Sequence, residues 1–404
     1  MLSVARRLAT IAVAAALGAG CAATWDASTP LRTVRLLVAV DGPYQFHAGW
    51  EHDLRRTVER VSAIFERKAG LRFQTVRIAT WQAPPLGDGR ALEHLATMPA
   101  ADADVVVGVS GGCDHAHAGS ARMFSRVALA TTGCVAFLQR RAPTLEQLLT
   151  HELAHLFGAF HPAPGVRSVM RGGAADDWDG QTLRVIRLMR GFDFTRGVDG
   201  VDAVTREAYS RIYAEGHDPG DANGLAVAMR NHGRALVDAG RIEEARERFM
   251  QAVALDPGWY QPYKDLGVWH ARQRQPADAS RFLRAAAERA GSARPDVRLA
   301  IAGRLDALGE REAALHLYEE TARAAPASAA ARLHLGTALL RRDRAQDAVP
   351  HLREAVRLAP ASAEAWQQLV TALALGRRHA EAWAEAQRAR AAGVVIPMPP
   401  APTP

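Results

Sequence analysis

Apolar positions alternate with polar ones in two different periods along this chain, and the change of period divides it. From about 32 to 215 short apolar runs alternate with helical stretches. VRLLVAV (34–40) reads as a strand, and HDLRRTVERVSAIFERKAG (52–70) as an amphipathic helix ended by Gly70. LRFQTVRIATW (71–81) reads as a strand and DVVVGVSG (104–111) as a buried one. SRVALATT (125–132) and CVAFLQ (134–139) predict two more strands. A helix follows near 145–157, then two further helical stretches at about 181–190 and 201–214. The order strand, helix, several strands, helix predicts an α+β domain with a mixed sheet.

Beyond GHDPGDANG, read as a linker over 216–225, the chain turns to alanine-rich helices with an internal period. AGRIEEARERFMQAVALDP (239–257), LGEREAALHLYEETARAAP (308–326) and RDRAQDAVPHLREAVRLAP (342–360) align. Ala245, Ala314 and Ala348 coincide, as do Phe249, Tyr318 and Leu352, and Pro257, Pro326 and Pro360. A small residue at a helix crossing lets two helices approach, the bulky residue four positions on fills the space beside it, and the proline stops the second helix. The last two copies are 34 residues apart, and Leu266–Gly267 and Leu335–Gly336 mark the first helix of a unit. This pattern resembles the tetratricopeptide repeat, and about five copies over 226–393 imply an all-α solenoid with a concave, protein-binding groove. The Pro-rich end, 394–404, predicts no fold of its own.

At 404 residues the chain exceeds one ordinary core. Its 48% hydrophobic and 23% charged residues are those of a globular protein. The net charge of +7 is carried by arginine, since Lys68 and Lys264 are the only lysines. No basic block stands out, so nucleic acid is not an expected partner. In the first twenty-one residues, Arg6 and Arg7 precede an apolar run from Leu8 to Leu17, and small residues lead to Cys21. The run is too short for a permanent membrane span and suits an export signal. LGAGC resembles a bacterial lipobox, although Leu17 stands four residues before Cys21 and not three. That implies a lipid anchor on Cys21 and an envelope location facing the periplasm; cleavage by ordinary signal peptidase, giving a periplasmic or secreted chain, is the alternative. Residues 22–31 then form a tether. In an oxidising compartment Cys113 and Cys134 can pair, closing a loop worth about 3 kcal/mol, or stay as buried thiols.

The chemistry concentrates in HELAHLFGAFH (151–161). Thr144 and Gln147 form a capping box, so the helix starts at about Leu145. His151 and His155, four apart, share one face; Leu149, Leu153 and Leu156 line the other. Gly158 permits a left-handed turn that swings His161 back. Three imidazoles then converge on one Zn²⁺ with a fourth position open, and Glu152 stands where a general base must.

HExxHxxGxxH followed by Met170 in RSVM is similar to the metzincin zinc endopeptidases. The resemblance implies His151, His155 and His161 as ligands, Glu152 as base and Met170 as the methionine turn, with peptide bonds of proteins as substrate. The short interval to Met170 resembles the matrixin and archaemetzincin branches, and SRVALA (125–130) is the expected edge strand for substrate. Two features depart from that family. Gly172 stands where several families place a tyrosine, and no cysteine-switch segment is expected between Cys21 and the first strand. Asp176, Asp177 and Asp179 read as loop and cap residues, with calcium as the other reading, and His115 and His117 read as loop residues beside a second-metal reading. Arg230 and Arg234, set against Asp265 and Asp296, do not make a carboxylate clamp in the repeats.

The leading function is thus a zinc-dependent endopeptidase of the cell envelope whose repeats hold a protein partner. The alternative is an envelope-anchored binding scaffold with an inactive protease-like domain, and zinc-dependent hydrolysis of a non-protein substrate is a third reading.

Overall fold

The computed structural model describes residues 30–46, 48–84, 87–112, 119–132, 143–171, 177–218 and 220–400. The described residues up to Asn231 form one compact unit and those from His232 a second.

The first unit is built on five strands: β1 (Arg32–Val40), β2 (Leu71–Thr80), β3 (Val105–Ser110), β4 (Gly119–Ala121) and β5 (Val127–Thr131). Their order is β2-β1-β3-β5-β4. β2, β1, β3 and β5 run parallel, and β4 pairs antiparallel with β5. Parallel strands need crossovers, and helices α1 (Trp50–Ala69) and α2 (Gly87–Ala96) lie between the first three. Every residue of β3 and β5 is buried, as expected of strands covered on both faces. Leu37, Ala39, Val106 and Leu129 pack with Leu92 and Leu95 of α2 on one face. Leu36, Val38 and Val107 face Val58 and Val61 of α1, together with Leu149 and Leu153 of α3 (Leu145–Leu156), on the other. The sheet is therefore the floor on which the histidine-bearing helix lies.

Helices α4 (Gly180–Leu188) and α5 (Ala203–Ala214) complete the unit with the start of α6 (Gly224–Asp238). The expected strands at 34–40, 71–81, 104–111 and 125–132 are present; 134–139 lies outside the described residues.

Two expectations about the first unit need correction. The edge strand is not 125–130. β5 sits between β3 and β4, and among the described residues the outer strands of the sheet are β2 and β4. The reason is burial: an uninterrupted apolar run needs a neighbour on each side, whereas Gly-Ser-Ala suits a margin. The segment 216–225 is not a linker either. Its Gly, Asp and Asn residues make turns and a cap: the Asp221 N–H donates to the Asp218 carbonyl (2.9 Å), and Asn223 Oδ1 accepts the N–H of Leu225 at 3.0 Å at the start of α6.

The second unit continues from α6 with α7 (Ile242–Leu255), α8 (Tyr260–Arg272), α9 (Pro276–Ala290), α10 (Pro295–Ala307), α11 (Arg311–Ala324), α12 (Ala329–Leu340), α13 (Ala345–Leu358), α14 (Ala363–Leu375) and α15 (His379–Ala391). It is a succession of helical repeats, and its crossings follow the expected logic. Ala245, Ala314 and Ala348 are wholly buried, as are Phe249, Tyr318 and Leu352 or nearly so. A Cβ on Gly336 would stand 2.5 Å from Leu352 Cγ, so glycine is what lets α12 and α13 touch. The tail is the exception to the expectation of no fold. Val394 is buried, its N–H donates to the Ala389 carbonyl at 2.8 Å, and Ile396 packs on the repeat core. Pro397, Met398 and Pro399 lie in a hollow beside Val370, Ala374 and Leu375 of α14. An apolar end of the last helix pair has surface to cover, and the tail covers part of it. Residues 401–404 lie outside the described residues.

Candidate metal centre

The helix α3 begins where its sequence asks it to. Thr144 Oγ1 accepts the Gln147 N–H at 3.2 Å, and the Gln147 side chain returns the bond to the Thr144 N–H at 2.9 Å. Leu149, Leu153 and Leu156 are buried, which turns His151 and His155 to the other face. The last helical residue is Leu156, and Gly158 takes φ +80°. Its N–H closes onto the His155 carbonyl at 2.8 Å, while its own carbonyl accepts the Tyr209 hydroxyl at 2.8 Å. The Phe124 ring presses on the same point, with a Cβ at Gly158 falling 2.2 Å from Phe124 Cζ. The turn is thus fixed by backbone conformation and by two packed rings.

That turn brings His161 to the other two histidines. The ring centres of His151, His155 and His161 are 4.6, 5.4 and 5.0 Å apart, and one nitrogen of each lies within 4.8 Å of the others. Tetrahedral Zn–N bonds of about 2.0–2.1 Å require nitrogens roughly 3.4 Å apart, so the three need only small rotamer adjustments. Among the described residues this is the group of histidine, cysteine and carboxylate side chains able to hold a metal.

The outer nitrogens decide the protonation pattern. His151 Nδ1 lies 3.0 Å from the Val169 carbonyl and His155 Nδ1 2.6 Å from the Ala159 carbonyl. His161 Nδ1 lies 2.7 Å from Asp221 Oδ2. Carbonyls and carboxylates only accept, so each Nδ1 carries the hydrogen and each Nε2 of a neutral ring carries a lone pair. Burial pushes the His151 imidazole down to about 4, and burial, then His151 and His161 beside it, holds His155 well below its ordinary value. Both rings are therefore neutral at neutral pH. Yet His151 Nε2 and His155 Nε2 stand 3.0 Å apart. Two facing lone pairs at that distance repel unless a cation lies between them. The donor set is three imidazoles whose outer nitrogens are already bonded, which fits Zn²⁺.

Glu152 is buried, and its Oε1 lies 4.0 Å from His151 Nε2, on the inner side of the cluster. Met170 is buried in a single 3-10 turn, Val169–Arg171. The residue before it supplies the carbonyl that orients His151, so this turn acts on the site through its backbone. Asp177 pairs with Lys68, and Asp179 caps α4 by accepting the N–H groups of Gln181 and Thr182, each at 2.9 Å. Cys21, Cys113, Cys134, His115, His117, Gly172 and Asp176 lie outside the described residues.

Sequence reasoning missed Asp221, Tyr209 and Tyr213. Asp221 is sixty residues from its histidine, and an acidic residue in a Gly- and Asp-rich stretch carries no local signal of that partnership.

No protein-family model matches the chain, and no curated protein matches it. Several solved structures are similar to part of it. A MamA fragment, residues 41 to the end, from Desulfovibrio magneticus RS-1 is 19% identical, covering 42% of this chain and 94% of that one, with a TM-score of 0.34. Another MamA structure is 15% identical, covering 43% and 98%, with a TM-score of 0.36. YrrB, described as a TPR protein with an unusual peptide-binding site, is 18% identical, covering 46% and 93%, with a TM-score of 0.34. These likenesses belong to the helical repeats, whose architecture stands on the geometry given above.

Proposed function

We propose that the first unit is a metzincin-like zinc endopeptidase and that the repeats hold a protein partner. One observation carries the reading: three histidines whose outer nitrogens are already bonded bring one nitrogen each within 4.8 Å of the others, with a buried glutamate beside them. A Zn²⁺ held there supplies a Lewis acid and brings the pKa of a water close to neutrality. Glu152 takes a proton from the attacking water and returns it to the amine that leaves. Its burial keeps competing solvent from the carboxylate. The antiparallel margin strand β4 supports an extended peptide as substrate, since a strand margin pairs with backbone whatever the side chains. Met170, buried within the same 3-10 turn as the Val169 carbonyl that orients His151, is assigned the role of the methionine turn. In this reading the chain is exported and held in the bacterial envelope through a lipid on Cys21.

A second reading, a protein-binding scaffold with an inactive protease-like unit, is favoured by the part of the chain that the structural likenesses reach, which is the repeats. One experiment separates the two. The purified full chain is given an unstructured peptide before chelation, after chelation, and after Zn²⁺ is restored. The peptidase reading expects cleavage that is lost with the metal and returns with it. No cleavage by a chain that carries one zinc would leave the scaffold reading standing.

A further inference from the structure

His151 and His155 are placed by a helix; His161 is not. It lies in coil beyond the Gly158 turn, and its side chain is 37% exposed against 16% for His151. Something other than α3 must aim it. A single oxygen of Asp221 holds both its backbone and its ring. Oδ2 accepts the His161 backbone N–H at 3.1 Å and the ring Nδ1–H at 2.7 Å. The side chain therefore loses its rotational freedom before any metal arrives.

Asp221 is itself held from several sides. Its carbonyl accepts the Tyr213 hydroxyl at 2.7 Å, and its N–H donates to the Asp218 carbonyl at 2.9 Å. Asp218 in turn donates its N–H to the His161 carbonyl at 2.8 Å. Arg171, in the same 3-10 turn as Met170, bridges the Asp218 carboxylate at 2.7 Å and the Pro162 carbonyl at 2.8 Å. The acceptor also differs in kind from the other two. His151 and His155 donate to neutral carbonyls, whereas His161 donates to a carboxylate, which makes its inner nitrogen the stronger electron donor. The more exposed ligand has the charged support.

We infer that Asp221 is the positioning residue of the third ligand, fixing where His161 Nε2 points and how tightly the centre holds zinc. This rests on the zinc reading above. The step involves no chemistry on the substrate; it is pre-organisation of a ligand by its outer partner.

The test measures the zinc dissociation constant of the full chain by competition with a chromophoric chelator, alongside melting of the metal-free form. The variants are Asp221→Ala, Asp221→Asn and Tyr213→Phe. Asp221→Ala is expected to weaken zinc binding by about 10- to 100-fold while the metal-free melting temperature stays near that of the parent. Asp221→Asn keeps an acceptor oxygen without the charge and falls between the two, and it carries the test if the alanine variant does not fold. Tyr213→Phe loosens the segment but leaves the carboxylate on the imidazole, so its zinc affinity stays near the parent's. Parent-like affinity in both Asp221 variants overturns the inference alone. So does an equal loss in Tyr213→Phe, which would assign the effect to the attachment of the segment. A parent chain that takes up no zinc overturns the centre itself and this inference with it.

Discussion

Replacing Glu152 by glutamine is expected to lower peptide hydrolysis by at least about two orders of magnitude, the scale of general acid–base catalysis. The substitution is nearly isosteric, so the buried position on α3 keeps its packing. No ligand is touched: the carboxylate lies 4.0 Å from His151 Nε2 and does not belong to the set of three imidazoles. Zinc content should therefore equal that of the parent chain. What is lost is the ability to accept a proton, since an amide has no basic oxygen at neutral pH. The check is single-turnover cleavage by the metal-loaded variant with zinc measured on the same sample. Parent-like turnover at full zinc occupancy would remove Glu152 from the reaction.

The second large effect belongs to Gly158. Gly158→Ala is expected to destabilise the fold by about 2–5 kcal/mol, from roughly 1–2 kcal/mol for a Cβ in the left-handed region and a further 1–3 kcal/mol for overpacking. The packing cost has a specific origin. The new methyl would fall 2.2 Å from Phe124 Cζ, and Phe124 cannot simply retreat, because its ring packs edge-on against Phe192 and Tyr209 at 5.6 and 5.4 Å. Relief would have to come from the backbone of the turn, and the turn is what delivers His161. Thermal melting and zinc affinity should fall together. A variant with the parent's melting temperature and affinity would mean that neither Phe124 nor the left-handed backbone constrains the site.

The parts of this molecule that are legible in its sequence are those with a local period. His151 and His155 share a face because four residues make one helical turn. Thr144 and Gln147 announce the start of α3 by their reciprocal bonds. The repeats declare themselves through the recurrence of Ala245, Ala314 and Ala348 beside their bulky partners. What is not legible is set by contacts between distant segments. β4 has three residues and no apolar alternation, so the apolar run of β5 reads as the margin of the sheet in its place. The helix α2 opens at Gly87 and includes Gly89, residues of low helix propensity, and packing rather than local pattern supports it. Gly216 to Gly224 reads as a linker because turn residues and linker residues are the same amino acids. Only the fold reveals that Asp221 faces His161. The prolines of the tail after Val394 forbid helix, but they do not forbid an extended packing on α14.

The central claim is that three imidazoles, and no sulfur, hold one zinc. X-ray absorption at the zinc edge of the full chain, loaded with one equivalent of metal, tests it most directly. The expected spectrum has nitrogen or oxygen neighbours alone at about 2.0–2.1 Å in fourfold coordination, with the outer-shell scattering of three imidazole rings. Loss of one ring's contribution in His161→Ala would accompany it. A sulfur neighbour at about 2.3 Å would contradict the claim by placing the metal on cysteine, and six oxygen neighbours without imidazole scattering would contradict it by placing the metal elsewhere on the chain.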